Sequence, residues 1–336
     1  NSLSEIANFV NAENAYVYEY LWDLKTVWKS YQWSFLQNND EKTTPTSNKM
    51  DLYESWISLH KIGETVSISN VNAISDSVVL KQSLINRNIK SLIAIPMMDE
   101  NECIGFVEFD TKNNFQNYTE KEEALLKVFS EMLVNMRNRV KTVRVINRQF
   151  EIQKLLTTIS SDFVGANCYN IDEKVKLLLK QTAQFFDADR SYIIHFKENQ
   201  KEGIYKSEWN SNIQAIRVRK NQKVQSIDIP RIIDELQKNL IINIPNTKEL
   251  PEDSAIDKQN CLKNNIQSFI IIPIFDKNNI MGCIGFEANK STKQWAEKEI
   301  KVLKVLANIY AESYSKVQIE KELIDAKDLA EAANKA

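Results

Sequence analysis

A long internal repeat constrains this chain more than any other feature. Residues 89–140 align with residues 266–317 without a gap at an offset of 177, and sixteen of these 52 positions are identical. A second match aligns residues 7–33 with residues 183–209 at an offset of 176. This period is too long for a solenoid and fits two tandem copies of one globular domain. The paired positions include Ser91/Ser268, Pro96/Pro273, Asp99/Asp276, Gly105/Gly282 and Phe109/Phe286.

The bulk composition agrees with two domains and excludes several classes of partner. A chain of 336 residues with 43% apolar side chains can bury two cores. The net charge of −2 gives no electrostatic reason to expect nucleic acid or an anionic membrane surface as a partner. No apolar run approaches the roughly 20 residues of a membrane span, and no signal peptide opens the chain. We therefore expect a cytoplasmic protein without a membrane segment.

The four cysteines predict neither a disulfide framework nor a zinc site. Cys103, Cys168, Cys261 and Cys283 are scattered, and none belongs to a CxxC pair. This spacing favours reduced thiols in or near the cores, and we expect no metal. No Walker loop, GxGxxG motif or Ser-His-Asp order is present either, so this region should catalyse nothing.

Each copy divides into three parts. The front part is a helix followed by a strand, the middle part is polar and irregular, and the back part is two apolar runs around a short polar turn. Two such runs predict an antiparallel hairpin, and their continuous apolar character predicts a sheet covered by helices on both faces. A Glu-rich first turn then predicts the start of a long helix at about Glu120 and again at about Glu297. The predicted front and middle elements are helices at 6–10, 52–60, 78–86, 175–186, 230–238 and 255–264, strands at 15–20, 65–70, 191–196 and 240–244, and irregular segments at 37–48 and 210–223.

A heptad pattern runs along the helix that connects the copies. Its apolar members are spaced alternately three and four residues apart, with one polar member, Asn147, of the kind that fixes register in a coiled coil. A similar frame on the last helix runs from Val302 to Ala333, interrupted at Glu312 and Lys316. The partner of the first seam is either the domain's own sheet or front helix, or a second identical chain. We expect a homodimer because the seam outlasts each domain. The seam consists of Leu126, Phe129, Leu133, Met136, Val140, Val143, Asn147 and Phe150.

The repeated back block resembles GAF domains, which are cytosolic small-molecule-sensing modules. The resemblance rests on the spacing of the paired Ser, Pro, Asp, Gly and Phe positions, followed by an aromatic residue and a Glu-Lys-Glu helix start. It implies an α+β fold of two GAF-like domains, each a roughly six-stranded antiparallel sheet with helices on both faces. A long helix would join them, and a coiled-coil helix would end the chain. The implied boundaries are 1–140 for domain 1 with its N-terminal helix truncated, 126–168 for the connecting helix, 169–318 for domain 2, and 319–336 for a signalling helix that leads to a missing output domain.

The resemblance leaves the ligand unidentified and requires no cofactor. Asn289, Lys290, Trp295 and Glu299 resemble the motif of cyclic-nucleotide-binding GAF domains, but with a Trp for the usual Phe, and we interpret them as a structural tether. Cys261 lies in the helix that carries bilin in some relatives, but Leu262 follows it where His is usual. Haem ligation by His60 or His195 stays open, although an isolated histidine in an apolar element is more typical of a core.

A group of aromatic residues in the first copy, Trp22, Trp28, Tyr31, Trp33 and Trp56, is the remaining indication of a ligand. These aromatics either pack the fold or form a wall for a flat or apolar ligand. Adding strand positions and the middle helices, we predict pocket residues at Trp33, Trp56, His60, Ser91, Ile93, Trp209, Ser268 and Ile270.

The last stretch, Leu323 to Ala336, is similar to the helix that enters the dimerisation domain of bacterial sensor histidine kinases. We therefore expect a regulatory, small-molecule-sensing region of a two-component histidine kinase that acts as a homodimer through its long helices. Two alternatives remain: the regulatory region of a diguanylate cyclase or phosphodiesterase, and a dimerisation scaffold that binds no ligand.

Overall fold

The chain consists of two compact units. The computed structural model describes residues 2–35, 47–75, 77–197, 202–212, 222–225, 230–238, 240–251, 254–277 and 279–335. The first unit ends at Ile146 and the second begins at Asn147. Each unit is built around one antiparallel sheet with helices on both faces, as the sequence predicts.

The sheet of the first unit has six strands in its described part, in the order β3-β2-β1-β6-β5-β4. All neighbouring pairs are antiparallel, and β5 and β6 form the predicted hairpin. The strands are β1 (Asn14–Leu21), β2 (Thr26–Ser34), β3 (Ser47–Lys49), β4 (Val66–Ile68), β5 (Ser91–Asp99) and β6 (Glu102–Thr111).

The second unit repeats this topology. Its six described strands lie in the order β10-β11-β12-β7-β8-β9, which is the same arrangement read from the other edge. The predicted hairpin is formed by β11 and β12. The strands are β7 (Arg190–Phe196), β8 (Glu202–Asn210), β9 (Lys223–Gln225), β10 (Ile242–Ile244), β11 (Ser268–Asp276) and β12 (Asn279–Ala288).

The helices also correspond between the units, and the two longest begin at the predicted Glu-rich turns. In both units a terminal helix precedes the sheet, two short helices lie in the middle part, and a long helix follows the hairpin. The helices are α1 (Ser2–Phe9), α2 (Glu54–His60), α3 (Val78–Asn86), α4 (Glu120–Val164), α5 (Ile171–Phe185), α6 (Pro230–Gln237), α7 (Ala255–Lys263) and α8 (Glu297–Lys335).

Some predicted elements differ in detail. The helix predicted at 52–60 is divided into a 3-10 turn, Met50–Tyr53, and α2. The strands predicted at 65–70 and 240–244 are only three residues long, because a 3-10 turn follows each of them shortly afterwards. Most of the irregular segments predicted at 37–48 and 210–223 lies outside the described residues, although β3 begins at the end of the first.

A glycine in each hairpin permits a close approach of two strands. A Cβ atom on Gly105 would lie 2.0 Å from the carbonyl oxygen of Tyr18, and one on Gly282 would lie 2.0 Å from that of Ile194. The pairing register shifts beside both glycines, so each second hairpin strand carries one extra residue. Because only glycine fits there, the sequence pair Gly105/Gly282 identifies the same β-bulge in both units.

Each sheet separates two cores. The face covered by α1 and α4, or by α5 and α8, is called here the terminal-helix face, and the face covered by α2 and α3, or by α6 and α7, the middle-helix face. Leu126 and Phe129 of α4 are buried on the terminal-helix face of the first unit. Leu303 and Tyr310 of α8 are buried on that of the second unit. Burying one such side chain contributes about 1.5–3 kcal/mol to the free energy of unfolding.

The predicted seam of α4 changes character along its length. Leu126 and Phe129 are buried against their own sheet, and Leu133 is partly buried there. Further along, Met136, Val140, Val143 and Phe150 are between 45% and 62% exposed, and Asn147 is exposed as well. Residues 139–151 of α4 are all exposed, and so are nearly all residues of α8 from Ile319 onward.

Candidate ligand-binding site

The second unit contains a cavity of about 370 Å³ on its middle-helix face. Strand residues Tyr192, Ile194 and Cys283 line one side, and residues of α6 and α7 line the other. This volume is at the small end of the range typical of ligand pockets. Beneath the middle helices, the second sheet therefore has room for a small molecule.

A buried arginine at the start of β7 organises the charges of this cavity. Arg190 Nε donates to Glu208 Oε1 at 2.6 Å, and Arg190 Nη1 donates to both carboxylate oxygens of Glu287 at 2.9 Å. The three side chains are 6%, 11% and 5% exposed in that order. Burial alone would lower the pKa of Arg190, but the Glu287 carboxylate raises it above its usual range, so the guanidinium stays charged.

One nitrogen of this arginine has no hydrogen-bond partner among the described residues. Among the described residues, Arg190 Nη2 is a buried donor without a hydrogen-bond partner, and Glu208 Oε2 is a buried acceptor in the same situation. A buried donor without an acceptor costs about 1–3 kcal/mol. Arg190 also lines the cavity, so a ligand could supply the missing acceptor.

Two tyrosines lie beside this guanidinium. The Arg190 Cζ atom is 4.7 Å from the ring centroid of Tyr192 and 5.7 Å from that of Tyr205, both within cation–π range. Burial and the Glu287 charge raise the pKa of Tyr192 well above its ordinary value. Tyr192 is therefore a neutral hydroxyl at physiological pH, available for hydrogen bonding rather than for proton transfer.

The two cysteines of the cavity are protonated thiols. Burial, with smaller contributions from Glu287 and Asp257, raises the pKa of Cys261 to about 12, and burial raises that of Cys283 to about 12. The thiolate is the nucleophilic form, so neither side chain is activated for covalent attachment in this state. All four cysteines of the chain lie in described segments and are free.

The corresponding space in the first unit is filled by aromatic rings. Phe106 is fully buried at the centre of a cluster on the middle-helix face. Its ring centroid lies 4.8 Å from that of Tyr18, 5.2 Å from that of His60 and 5.7 Å from that of Trp56. At the offsets of the repeat, Phe106 corresponds to Cys283 and Tyr18 to Ile194, and Trp56 and Ile232 are each the third residue of the corresponding helices α2 and α6. Smaller side chains at equivalent positions therefore leave the second unit hollow.

The first unit has a groove of its own beside α3. This space of about 850 Å³ is bounded by Tyr18, Lys29 and Arg87, and by the exposed side chains of Val78 and Val79. The Arg87 guanidinium pairs with Glu108 and lies 3.5 Å from Asp110. Because exposed side chains form its wall, this groove is a surface depression rather than a chamber.

The predicted pocket residues are distributed over several places. Trp56 and His60 lie in the aromatic cluster, where Tyr20 Oη and His60 Nδ1 are 2.7 Å apart. Burial lowers the pKa of His60 to about 4, so it is neutral. Trp33 and Ile93 belong to the terminal-helix core of the first unit. Ile270 belongs to that of the second, with Trp209 packed against it.

The two predicted serines hold the segment that precedes the long helices. Ser91 Oγ accepts from the backbone N–H of Gln116 at 3.0 Å, and Ser268 Oγ accepts from that of Lys293 at 2.9 Å. Among the described lining residues of the second-unit cavity, none of the eight predicted pocket residues occurs. Strand residues alternate between faces, so Phe269 and Ile271 line the cavity while Ile270 points to the other core.

Sequence reasoning missed Arg190, Tyr192, Tyr205, Cys283 and Glu287 as cavity residues. A signal for them was present in the repeat itself. Positions that carry aromatic side chains in the first copy, such as Phe106 and Trp56, carry smaller ones in the second. A comparison of side-chain volumes between aligned copies would have placed the cavity in the second copy.

The second histidine connects the sheet to α8. His195 Nε2 and Tyr310 Oη are 2.7 Å apart, and the Tyr314 ring centroid lies 4.6 Å from that of His195 in an edge-on arrangement. Burial, with a smaller contribution from Lys206, lowers the pKa of His195 to about 3. His195 is thus neutral, and its side chain makes its contacts with these two tyrosines.

The Asn-Lys motif of the second copy forms a tether, but with a different acid from the one in the motif. Lys290 Nζ lies 2.7 Å from Asp189 Oδ1, whereas Glu299 lies 3.7 Å from Lys293 and accepts from the backbone N–H of Ala296.

Across the described residues, no group of three or more His, Cys, Asp or Glu side chains could hold a metal ion. No helix in the described segments combines the length and apolar character that crossing a membrane requires.

Comparison with known proteins identifies the class. The family model described as the GAF domain matches residues 1–135 and 170–313, so this chain belongs to the GAF domain family and carries two copies. GAF domains are regulatory sensory domains rather than catalytic ones. No curated protein matches the chain.

Solved structures share the fold at low sequence identity. The bacteriophytochrome RpBphP3 from the photosynthetic bacterium R. palustris is similar over 94% of this chain and 70% of its own, with 7% identity and a TM-score of 0.55. The GAF domain of an Acinetobacter phosphoenolpyruvate-protein phosphotransferase is matched over 51% of this chain and 98% of its own, with 13% identity and a TM-score of 0.41. A phycoerythrobilin-bound GAF domain from a cyanobacterial phytochrome is matched over 51% and 97%, with 14% identity and a TM-score of 0.44.

Proposed function

We propose that this chain is the cytoplasmic sensory region of a two-component histidine kinase, and that its second GAF domain is the one that binds a small molecule. The observation that carries the proposal is the cavity of about 370 Å³ beside a buried arginine, Arg190, that has an N–H without a partner among the described residues. The equivalent interior of the first domain is occupied by Phe106 and its aromatic neighbours. The first domain then serves as a packed, structural member of the pair.

Strand β7 gives a route from the cavity to the last helix. Tyr192 and Ile194 line the cavity. The next residue of the strand, His195, lies within hydrogen-bond distance of Tyr310 of α8. A ligand that shifts β7 would therefore change the packing of α8. A coupling free energy of about 1–3 kcal/mol is typical for such communication. Tyr310→Phe should reduce the ligand-induced change in hydrogen exchange along α8; an unchanged response would argue against this route.

The exposed apolar residues of α4 support a homodimer. Met136, Val140, Val143 and Phe150 keep the heptad spacing, although their own domain does not cover them. A second copy of α4 would bury this row, with Asn147 facing its counterpart. The C-terminal run from Leu323 onward, which resembles the entry to a kinase dimerisation domain, would continue the same dimer.

The dimer is tested by light scattering after size-exclusion chromatography. The wild-type chain of 38.9 kDa should elute at twice that mass, and a Val140→Glu/Val143→Glu double variant should elute as a monomer. Val145→Glu is the matched control, because Val145 is 51% exposed on the same helix but outside the seam. A wild-type monomer at micromolar concentration would refute the homodimer.

Ligand binding is tested by filling the cavity. Thermal-shift and native mass-spectrometry screens with nucleotides, haem and small acids or amines should find a ligand for the wild-type chain, and Cys283→Phe should abolish its binding. A ligand that binds equally to both would lie elsewhere.

The kinase assignment has a separate test. A kinase-type histidine helix in the residues that follow Ala336 is expected; a diguanylate cyclase or phosphodiesterase sequence there would replace the kinase assignment.

A further inference from the structure

The buried charges of the second-domain cavity are already engaged with one another or with neighbours. Arg190, whose side chain is 6% exposed, pairs with Glu208 and with both carboxylate oxygens of Glu287. Asp257 of α7 also lines the cavity, is 1% exposed and takes part in an interaction of its own. Burying a charge is costly unless it is paired. A charged group of a ligand would therefore find no free counter-ion among these four side chains.

A second anion is a poor match for Arg190. Its single guanidinium already serves two buried carboxylates, Glu208 and Glu287. A carboxylate from a ligand would be the third anion around one buried cation, and like charges at such a site repel one another. The charge of the ion-pair group thus disfavours an acid at this wall of the cavity.

An ammonium group does not fit the hydrogen bonds that are open there. Arg190 Nη2 is a buried donor without an acceptor among the described residues, and an ammonium group has no lone pair to offer it. Such a cation would also have to share the Glu287 oxygens, which already accept from Arg190 Nη1. The hydrogen-bonding vacancy at Arg190 therefore calls for an acceptor.

An uncharged carbonyl oxygen meets both conditions. It accepts a hydrogen bond through its lone pairs and adds no net charge to the buried ion-pair group. The wall beyond Arg190 is apolar, with buried side chains that include Ile194, Leu236 and Phe269. Lys223 and Lys263 also line the cavity but are exposed, so a charge elsewhere on the ligand belongs beside them, where water reaches it.

We propose that the second GAF domain takes up the uncharged carbonyl end of a small molecule with an apolar body, of which a ketone or an amide is the simplest form. The carbonyl oxygen accepts from Arg190 Nη2, and the body packs against the apolar wall. This inference rests on the proposed ligand-binding role of the same cavity.

The test is a ligand-observed NMR titration of the whole chain with four probes that share a phenyl ring. Acetophenone and benzamide carry an uncharged carbonyl, benzoate carries a carboxylate, and benzylamine carries an ammonium group at neutral pH. The tighter of the two carbonyl probes should bind at least tenfold more tightly than either charged probe. A smaller ratio would overturn the proposal, and so would the absence of binding by both carbonyl probes.

The assigned hydrogen bond has a spectroscopic signature. The tighter carbonyl probe, labelled with ¹³C at its carbonyl carbon, is bound to the wild-type chain and measured by isotope-edited infrared spectroscopy. Its carbonyl stretch should lie at a lower wavenumber than in an apolar solvent, because a hydrogen bond from a guanidinium weakens the C=O bond. A bound band at the position found in the apolar solvent would contradict acceptance from Arg190 Nη2.

Variants assign the donor. Arg190→Met keeps an apolar stem and removes every donor, so it should weaken binding of the carbonyl probes about tenfold; an unchanged affinity would contradict the assignment. Since this change also removes two buried ion pairs, circular dichroism must show that the variant is folded, and the infrared measurement on the wild-type chain decides if it is not. Arg87→Gln is the matched control, because it removes the arginine partner of Glu108 in the first domain and should leave the affinity unchanged.

Failure of this inference is distinguishable from failure of the proposed function. If benzoate, benzylamine or a screened compound without an uncharged carbonyl binds, and Cys283→Phe abolishes that binding, the second domain is the sensory domain and the carbonyl class is wrong. If no probe or screened compound binds in a way that Cys283→Phe removes, both proposals fall.

Discussion

The two GAF domains show how one fold becomes either a packed core or a chamber. In the first domain Phe106 fills the middle-helix face, in contact with Tyr18, Trp56 and His60. In the second domain Cys283 occupies the position of Phe106, and a cavity of about 370 Å³ is present. Strand order, bulge and helix positions are the same in both. The difference lies in side-chain volume at a few strand and helix positions.

Arg87 and Arg190 make the same comparison for charge. In the first domain Arg87, just after α3, reaches Glu108, and Asn14 donates to Asp110 at 2.6 Å. In the second domain the residue equivalent to Asn14 is Arg190, which binds Glu287 at the position of Asp110. The Arg190 side chain in β7 is 6% exposed, whereas that of Arg87 at the end of α3 is 29% exposed. The second domain therefore holds its cation deeper.

The largest expected effect tests whether the first domain is as tightly packed as its aromatic contacts indicate. Phe106→Ala should lower the free energy of unfolding by about 3–5 kcal/mol, because it leaves a cavity among rings that cannot collapse together. Urea unfolding followed by tryptophan fluorescence measures it. Phe115→Ala, at a side chain that is 55% exposed, should stay within about 0.5 kcal/mol. A loss below about 1 kcal/mol for Phe106→Ala would end the contrast between the domains.

The second largest expected effect is a difference between the domains in how much stability they lose in acid. The folded-state pKa values of His60, about 4, and His195, about 3, lie below the unfolded value of about 6.5. The unfolded chain thus binds more protons in this range, so stability is full above pH 6.5 and falls as the pH decreases, by about 2 kcal/mol per histidine at pH 5. In the first domain, burial and the charge of Glu108 raise the pKa of Asp110. The folded state then binds more protons at this carboxyl than the unfolded state does, so Asp110 makes the first domain more stable as the pH falls from 7 to 5.

Domain 2 should therefore lose more stability than domain 1 between pH 7 and pH 5. Hydrogen exchange resolved to peptides of β7 and β12, compared with β1 and β6, reports the two domains separately. His195→Gln keeps a partner for Tyr310 without a titrating group, and it should remove most of the acid sensitivity of domain 2. Equal acid sensitivity of both domains in the wild-type chain would contradict the offset by Asp110.

A pair of cysteine substitutions compares free volume directly. Cys103→Phe inserts a ring into the filled core of the first domain and should cost about 1–3 kcal/mol. Cys283→Phe inserts the same ring beside the cavity and should change the free energy of unfolding by less than about 1 kcal/mol. Differential scanning calorimetry of both variants gives the comparison. A larger loss for Cys283→Phe than for Cys103→Phe would mean that the cavity does not accept a ring.

The smallest expected effect concerns the start of the long helices. Thr119 and Glu122 form a reciprocal capping box at α4, since Glu122 accepts from the backbone N–H of Thr119 at 2.7 Å and Thr119 Oγ1 accepts from that of Glu122. At α8 the equivalent residue is Ala296, so only the Glu299 half is present. Ala296→Ser should add about 0.5–1 kcal/mol to the free energy of unfolding, measured by thermal unfolding, and Ala296→Thr slightly less. No gain would show that the loop before α8 cannot adopt the capping geometry.

The repeat made most of the fold predictable, because each copy supported the other. Both hairpins, the middle helices and the Glu-rich starts of α4 and α8 follow from patterns that occur twice. The packing of the α4 seam did not follow, since heptad spacing is the same whether a residue packs on its own sheet, as Leu126 does, or is exposed, as Val140 is. The heptad period alone does not show which surface the seam packs against.

The candidate site was less predictable than the fold. In a strand buried on both faces, an apolar run does not reveal which residues point to which core, and a phase error of one residue exchanges Ile270 for Phe269 and Ile271. Arg190 looked unremarkable in sequence because its partners, Glu208 and Glu287, are distant along the chain. Such pairings are made by the sheet register.

Strand β7 has a consequence for how this protein can diversify. Its alternate side chains serve separate layers, with Tyr192 and Ile194 toward the cavity and Ile193 toward the core shared with α8. On the proposed route from the cavity to α8, mutations at the first set would change which ligands bind and would leave the contacts between β7 and α8 intact. A sensor of this kind would acquire a new stimulus without losing its response.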